Sequence, residues 1–118
     1  YAPAKNVDNI VAIVDYNKKQ IDGPTDDVLS LGDLRAKYES FGWKVWECNG
    51  NDMQELVDTF NKIRENAHKG QSQILLAHTE MGMGVDFMMG THKWHGVAPN
   101  DEQAANALSQ LKETLGDY

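Results

Sequence analysis

Three short runs of strand-forming residues punctuate the chain: "NIVAIV" at 9–14, "WKVWEC" at 43–48 and "QSQILLAHT" at 71–79. Between them, apolar residues recur every three or four positions. This switching between a two-residue and a 3.6-residue period constrains the fold most, because strands separated by helices pair as parallel neighbours joined by crossovers. The first run is dominated by β-branched residues and predicts a central strand covered on both faces. Leu31, Leu34, Tyr38 and Phe41 then predict a helix, with Ser30 as its N-cap and Gly42 as its end. After the second strand, "NGND" leads into a helix whose stripe is Met53, Leu56, Val57, Phe60 and Ile63. A long stretch rich in glycine and methionine follows the third strand, and a last helix forms around Ala104, Ala105, Leu108, Leu111 and Leu115, capped by Asn100. The expected fold is α/β, ordered β-α-β-α-β-loop-α, with two right-handed crossovers on one parallel sheet. No internal repeat or low-complexity segment interrupts it.

Composition removes several classes of function. With 118 residues, 41% hydrophobic and 25% charged, the chain suits one globular domain and not a disordered segment. Its longest apolar run, "IVAIV", ends at Asp15, far short of the roughly 20 residues that span a bilayer, so no membrane role is expected. A formal net charge of -7 disfavours general nucleic-acid binding, which depends on Lys and Arg neutralising phosphates. The single cysteine, Cys48, cannot form an internal disulfide and reads as a buried free thiol, in keeping with a reducing cytoplasm. The opening "YAPAKNVDNI" has neither an initiating methionine nor the regions of a signal peptide, and a piece of something longer is expected.

In parallel sheets, ligands gather at the carboxyl ends of the strands. Two loops belong there: "DYNKKQIDG" after the first strand and "TEMGMGVDFMMGTHKWHG" after the third. The first offers the Asn17 side-chain oxygen and several backbone carbonyls, the donors that Mg²⁺ or Ca²⁺ takes, although a loop asparagine also bonds its own backbone. Ile21 either tucks back onto the core or forms a floor beneath a flat ligand. The second loop exceeds the length at which structureless connections usually serve function. Its His92 and His95 lie three apart, but no third or fourth zinc ligand is near, which points to proton transfer or anion binding. His68 reads as a surface residue near a helix end and His78 as a packed strand residue. Met81, Met83, Met88 and Met89 read as core filling, or alternatively as a mobile contact surface. No GxGxxG, P-loop, nucleophile elbow or CxxC pair is present.

Taken together, "DNIVAIVDYNKKQIDG", "FGW", "AHT", "GMGV" and "WHGVAPND", in that order, resemble transketolase. The chain is similar to the half of that enzyme that binds thiamine diphosphate, encoded in many prokaryotes as a separate N-terminal subunit. The resemblance runs from about Val7 to the last helix and implies a partial thiamine-diphosphate-binding fold. On it, residues 1–118 are a single segment, the C-terminal part of a diphosphate-binding domain.

What the resemblance implies about the site is specific. The cofactor diphosphate is held through Mg²⁺ or Ca²⁺ by a signature that begins Gly-Asp-Gly and ends at an asparagine matched by Asn17. Lys19 matches a position whose backbone carbonyl is also a metal ligand. Ile21 matches an apolar residue that packs against the cofactor rings, and His95 matches a histidine that assists proton transfers, with His92 the weaker match. The family's "KGKG" is "MGMG" here, which lacks the lysines that would contact an anion. The expected partners are an upstream Gly-Asp-Gly segment, sugar phosphates and a pyrimidine-binding subunit, in an oligomer. The implied reaction transfers a two-carbon ketol unit from a ketose phosphate to an aldose phosphate. The alternatives are a related ketol transferase with another sugar, and a non-catalytic domain that serves folding or association.

Overall fold

The computed structural model describes residues 1–112. After a short 3-10 turn at Pro3–Lys5, the elements are β1 (Val11–Tyr16), β2 (Lys19–Gln20), β3 (Gly23–Pro24), α1 (Thr25–Val28), α2 (Leu34–Ser40), β4 (Lys44–Asn49), α3 (Met53–Glu65), β5 (Gln73–His78) and α4 (Asp101–Gln110). Three of the strands form a parallel sheet ordered β1-β5-β4, and β2 pairs with β3 in a small antiparallel hairpin. The α/β class and the order of the main strands and helices are those the periodicities predict, while the hairpin β2–β3 and the one-turn α1 stand where a loop and turn were expected. The crossover from β1 to β4 skips a strand position and the one from β4 to β5 returns to fill it. Crossovers of one hand running in opposite directions place their helices on opposite faces of the sheet. Accordingly Leu34 and Tyr38 of α2 pack on the face of Val45, Ile74 and Leu76, while Ile63 and Leu56 of α3 pack on the face of Cys48, Leu75 and Ala77.

The strand at the centre is β5, and β1 is an edge. Among the described residues the expected central place of β1 is taken by β5: Ile74, Leu75 and Leu76 are buried, whereas Ile13 of β1 is 58% exposed. A β-branched run reports affinity for a sheet and a covered surface, not rank within the sheet. Buried Gln73 is satisfied on both sides, accepting from Trp46 Nε1 at 2.9 Å and donating Nε2 to the Ile63 carbonyl at 3.0 Å. Those bonds stitch β4 and α3 to the central strand.

Helix boundaries follow their caps. Asp33, not Ser30, starts α2, accepting from the Ala36 N–H at 2.9 Å, because Leu31 lies ahead of the helix. Asp52 caps α3 through the N–H groups of Gln54 and Glu55, and Asn100 and Gln103 form a capping box on α4 as the sequence indicates. Gly42, at φ +87°, carries the exit from α2. The predicted stripes are only partly buried. In α3, Leu56 packs inward and Ile63 is buried, with Thr59 beside them, but Met53, Val57 and Phe60 are exposed. In α4 the buried residue is Ala107 while Leu108 is exposed, and Leu115 lies outside the described residues. Among the described residues no helix is long and apolar enough to cross a membrane.

Candidate functional site

Strand register brings Tyr16, His78 and Asn49 level with one another at the carboxyl ends of β1, β5 and β4. Above that row lies a cleft of about 320 Å³, lined by Tyr16, Asn17, Lys18, Lys19, Asn49, Asn51, His78, Thr79, Glu80 and Met83. All three loops that leave the carboxyl edge contribute to it. This is the position that parallel-sheet topology assigns to a ligand.

Asn17 lies where β1 gives way to the hairpin. Its Oδ1 accepts the Lys19 N–H at 2.9 Å, closing a tight turn around Lys18, whose φ of +58° is uncommon for a residue with a side chain. A carbonyl oxygen has two lone pairs, so this bond leaves Oδ1 able to coordinate. The hairpin prepares a second oxygen. Lys19 stands opposite Pro24, which has no N–H, and the adjacent rung is Thr25 N–H to the Lys18 carbonyl at 2.9 Å. Hydrogen-bonded and non-hydrogen-bonded pairs alternate in such a ladder, so Lys19 belongs to a non-hydrogen-bonded pair and its carbonyl points away from the partner strand. In a strand the N–H and C=O of one residue point to the same side, so this carbonyl is directed toward the side occupied by Asn17. Asn17 Oδ1 and the Lys19 carbonyl are uncharged oxygens of the type that a hard divalent cation takes when anionic ligands complete its shell. Among the described residues no group of three or more His, Cys, Asp or Glu residues could share a metal.

Charge in the cleft is organised by Glu80. Its Oε1 accepts from Lys19 Nζ at 3.1 Å and from the Gly90 N–H at 2.8 Å, and its own N–H donates to Asn51 Oδ1 at 2.7 Å. The Gly90 amide and the Lys19 ammonium hold the Glu80 carboxyl below its ordinary range. At the other end, His78 Nε2 lies 3.0 Å from Glu47 Oε2, and Arg35 Nε donates to Glu47 Oε1 at 2.7 Å. Partial burial pushes the Glu47 carboxyl up, but the bonds from His78 and Arg35 outweigh it and leave it lowered. An ionised carboxylate only accepts, so Nε2 carries the proton and the imidazole is orientated by Glu47. Its ring packs against Tyr16, with centroids 5.3 Å apart.

The residues singled out in the sequence do not all converge. Asn17 and Lys19 line the cleft. Ile21 is at the tip of the hairpin, 72% exposed, neither tucked onto the core nor among the cleft-lining residues. His95 is exposed in a turn closed by its N–H to the His92 carbonyl at 3.0 Å, and neither histidine lines the cleft. That turn is anchored by Trp94, which donates Nε1 to the Phe87 carbonyl at 3.0 Å and meets the Phe87 ring edge-on. The methionines are not core filling: Met83 and Met89 are exposed, Met81 and Met88 are half-buried, and Val85 is the buried residue of that loop. His68 is exposed near the end of α3, as expected. Sequence reasoning overlooked Asn49, Asn51 and Glu80, and it read His78 as a packed strand residue, whereas its side chain is 39% exposed and lines the cleft. The signal for the asparagines was available in "CNGND", an Asn- and Gly-rich turn following a parallel strand, which is where cleft residues collect.

Comparison with known proteins agrees on a single family. The family model described as "Transketolase, thiamine diphosphate binding domain" matches residues 1–116. The chain is 39% identical over 109 residues to an apulose-4-phosphate transketolase subunit of Phocaeicola vulgatus, with 92% of this chain and 38% of that protein covered. It is 29% identical over 113 residues to a 6-deoxy-6-sulfo-D-fructose transketolase subunit of a Clostridium species, with 96% of this chain and 40% of that one covered. In fold it resembles the crystal structure of transketolase from Campylobacter jejuni, with a TM-score of 0.82 at 24% identity over 92% of this chain and 17% of that protein. The chain therefore spans about two fifths of the length of these two curated relatives.

Proposed function

This chain belongs to the transketolase family, within its thiamine diphosphate-binding domain, and from that membership we propose that it forms part of an enzyme transferring a two-carbon ketol unit from a ketose phosphate to an aldose phosphate. The observation that carries the reading is the turn in which Asn17 Oδ1 accepts the Lys19 N–H beside a cleft at the carboxyl edge of the sheet, a turn whose candidate metal oxygens are Asn17 Oδ1 and the Lys19 carbonyl. These two oxygens would take Mg²⁺ or Ca²⁺, and the cation would in turn hold the diphosphate against a protein of net charge -7. Thiamine diphosphate, when bound, supplies the carbanion equivalent and electron sink of the reaction.

The remaining roles belong to this protein's own side groups. Ile21, exposed at the hairpin tip, would give the cofactor rings an apolar surface once they are seated. His95 would hold or move a proton at the reacting centre after the loop that carries it has been positioned by the rest of the assembly. Residues 1–118 would be the C-terminal part of the diphosphate-binding domain. Its partners would be an upstream Gly-Asp-Gly segment supplying a metal-binding aspartate and a separate pyrimidine-binding subunit, together forming a cytoplasmic oligomer. The similarity to a relative whose name specifies apulose 4-phosphate supports a second reading, a ketol transferase that uses an uncommon sugar phosphate.

Asn17→Ala in the complete assembly tests the metal assignment. We expect the apparent dissociation constant for thiamine diphosphate in the presence of Mg²⁺ to rise at least tenfold, a loss of about 1.4 kcal/mol or more, with little change in the thermal stability of the cofactor-free protein. Unchanged affinity removes Asn17 from the ligand set.

A further inference from the structure

Three loops meet at Glu80, two of them through its carboxylate and the third through its backbone N–H. Glu80 binds Lys19 of the hairpin after β1 and Gly90 of the long loop after β5, while its backbone N–H is tied to Asn51 of the loop after β4. An exposed ion pair would be worth little. This one differs, because the Lys19 side chain is only 13% exposed and that of Glu80 33%, and the same carboxylate oxygen accepts a backbone amide as well.

We propose that Glu80 is a positioning residue for the cofactor hairpin, joining the residue that presents the metal-binding carbonyl to the loop that carries His92 and His95. The inference rests on the function proposed above. Lys19 would serve that function through its backbone C=O, and the direction of that group depends on the torsions of residues 18 and 19. Restraints on them include Asn17 Oδ1 on the Lys19 N–H, the Thr25 N–H on the Lys18 carbonyl, and Glu80 on the Lys19 ammonium. Lys18, at φ +58°, occupies a left-handed conformation that is unfavourable for a residue with a side group, so the turn needs restraint from outside itself. Glu80 supplies it from 61 positions away in sequence. Its bond to Gly90 extends the same restraint to the histidine-bearing loop, so seating the hairpin and placing that loop become a single event. Lys19 thereby acquires a side-chain function in addition to its backbone one.

The test is a double-mutant cycle in the complete assembly, read as thiamine diphosphate affinity at saturating Mg²⁺ by titration calorimetry. Glu80→Gln and Lys19→Met are each expected to weaken binding about fivefold to tenfold, and the double variant no more than the worse single one, the non-additivity of a coupled pair. Lys19→Arg, which keeps the cation, should return affinity to within about twofold of wild type. Melting temperatures of the cofactor-free proteins should not follow these losses. Wild-type affinity in Glu80→Gln, a double variant with multiplied losses, or losses that track melting temperature each overturn the assignment. If Glu80→Gln does not fold, Lys19→Met with its Lys19→Arg rescue reads the same pair from the other end. A wild-type assembly that binds no thiamine diphosphate with Mg²⁺ overturns the proposed function and this inference together. Cofactor binding in the wild type with undiminished affinity in Glu80→Gln overturns only the role of Glu80.

Discussion

Gly82 begins the turn that lays Met83 along the cleft, and nothing larger fits there. Its φ is +72°, and a Cβ would stand 2.5 Å from Met88 Cβ and 2.9 Å from the Met88 carbonyl carbon. We expect Gly82→Ala to lose about 1–2 kcal/mol from the left-handed backbone alone, with a further loss from the clash, seen as a lower urea midpoint with unchanged slope. A variant with the wild-type midpoint would show that the loop relaxes freely around this position. The glycine was recognisable from the sequence as a place where the backbone turns, since only local chemistry is involved. Asn17 was recognisable for the same reason, its bond to the Lys19 N–H spanning two residues. Glu80 was not: its partners Lys19 and Asn51 are 61 and 29 positions away, and no local pattern encodes a meeting that sheet topology creates.

Among elements, β4 does more than fill a sheet position, because its Glu47 connects α2 to the central strand. Arg35 of α2 and His78 of β5 both bond this carboxylate, and their bonds leave it lowered against the opposing effect of burial. A carboxyl whose folded value is lowered contributes stability that is fully present above its unfolded value, about 4.3 for glutamate. That contribution is lost as pH falls through the lowered folded value, since the unfolded chain then binds the proton first. Acid titration of stability should therefore fall more steeply in wild type than in Glu47→Gln below about pH 4.3. Parallel curves for the two proteins would show that Glu47 carries no linked proton. The elements themselves were legible because periodicity is local: strand, helix and cap signals placed β1, β4, β5, α3 and α4. The rank of β1 was not legible. Whether a β-branched strand lies at the centre or the edge depends on which strand the return crossover inserts beside it, here β5.

The described fold leaves apolar side chains uncovered. Apolar residues account for part of the exposed surface at definite places. Ile13 lies on the α3 side of the sheet, in register with Leu75, yet α3 covers the β4 and β5 end and leaves Ile13 open. On α3, Met53, Val57 and Phe60 recur at helical spacing and are likewise open, which is why its sequence stripe is wider than the face it buries. Among the described residues no strand pairs with the outer edge of β1, the strand that carries Ile13. Exposed apolar surface of this kind, next to an open strand edge, favours association. The 118-residue polypeptide prepared by itself should therefore sediment as a concentration-dependent mixture of species, and Ile13→Thr combined with Phe60→Ser should move it toward the monomer. A single monomeric boundary for the unmodified protein across the whole concentration series would mean that these surfaces are tolerated in water, and the structural argument for a covering partner would then rest on the cleft alone.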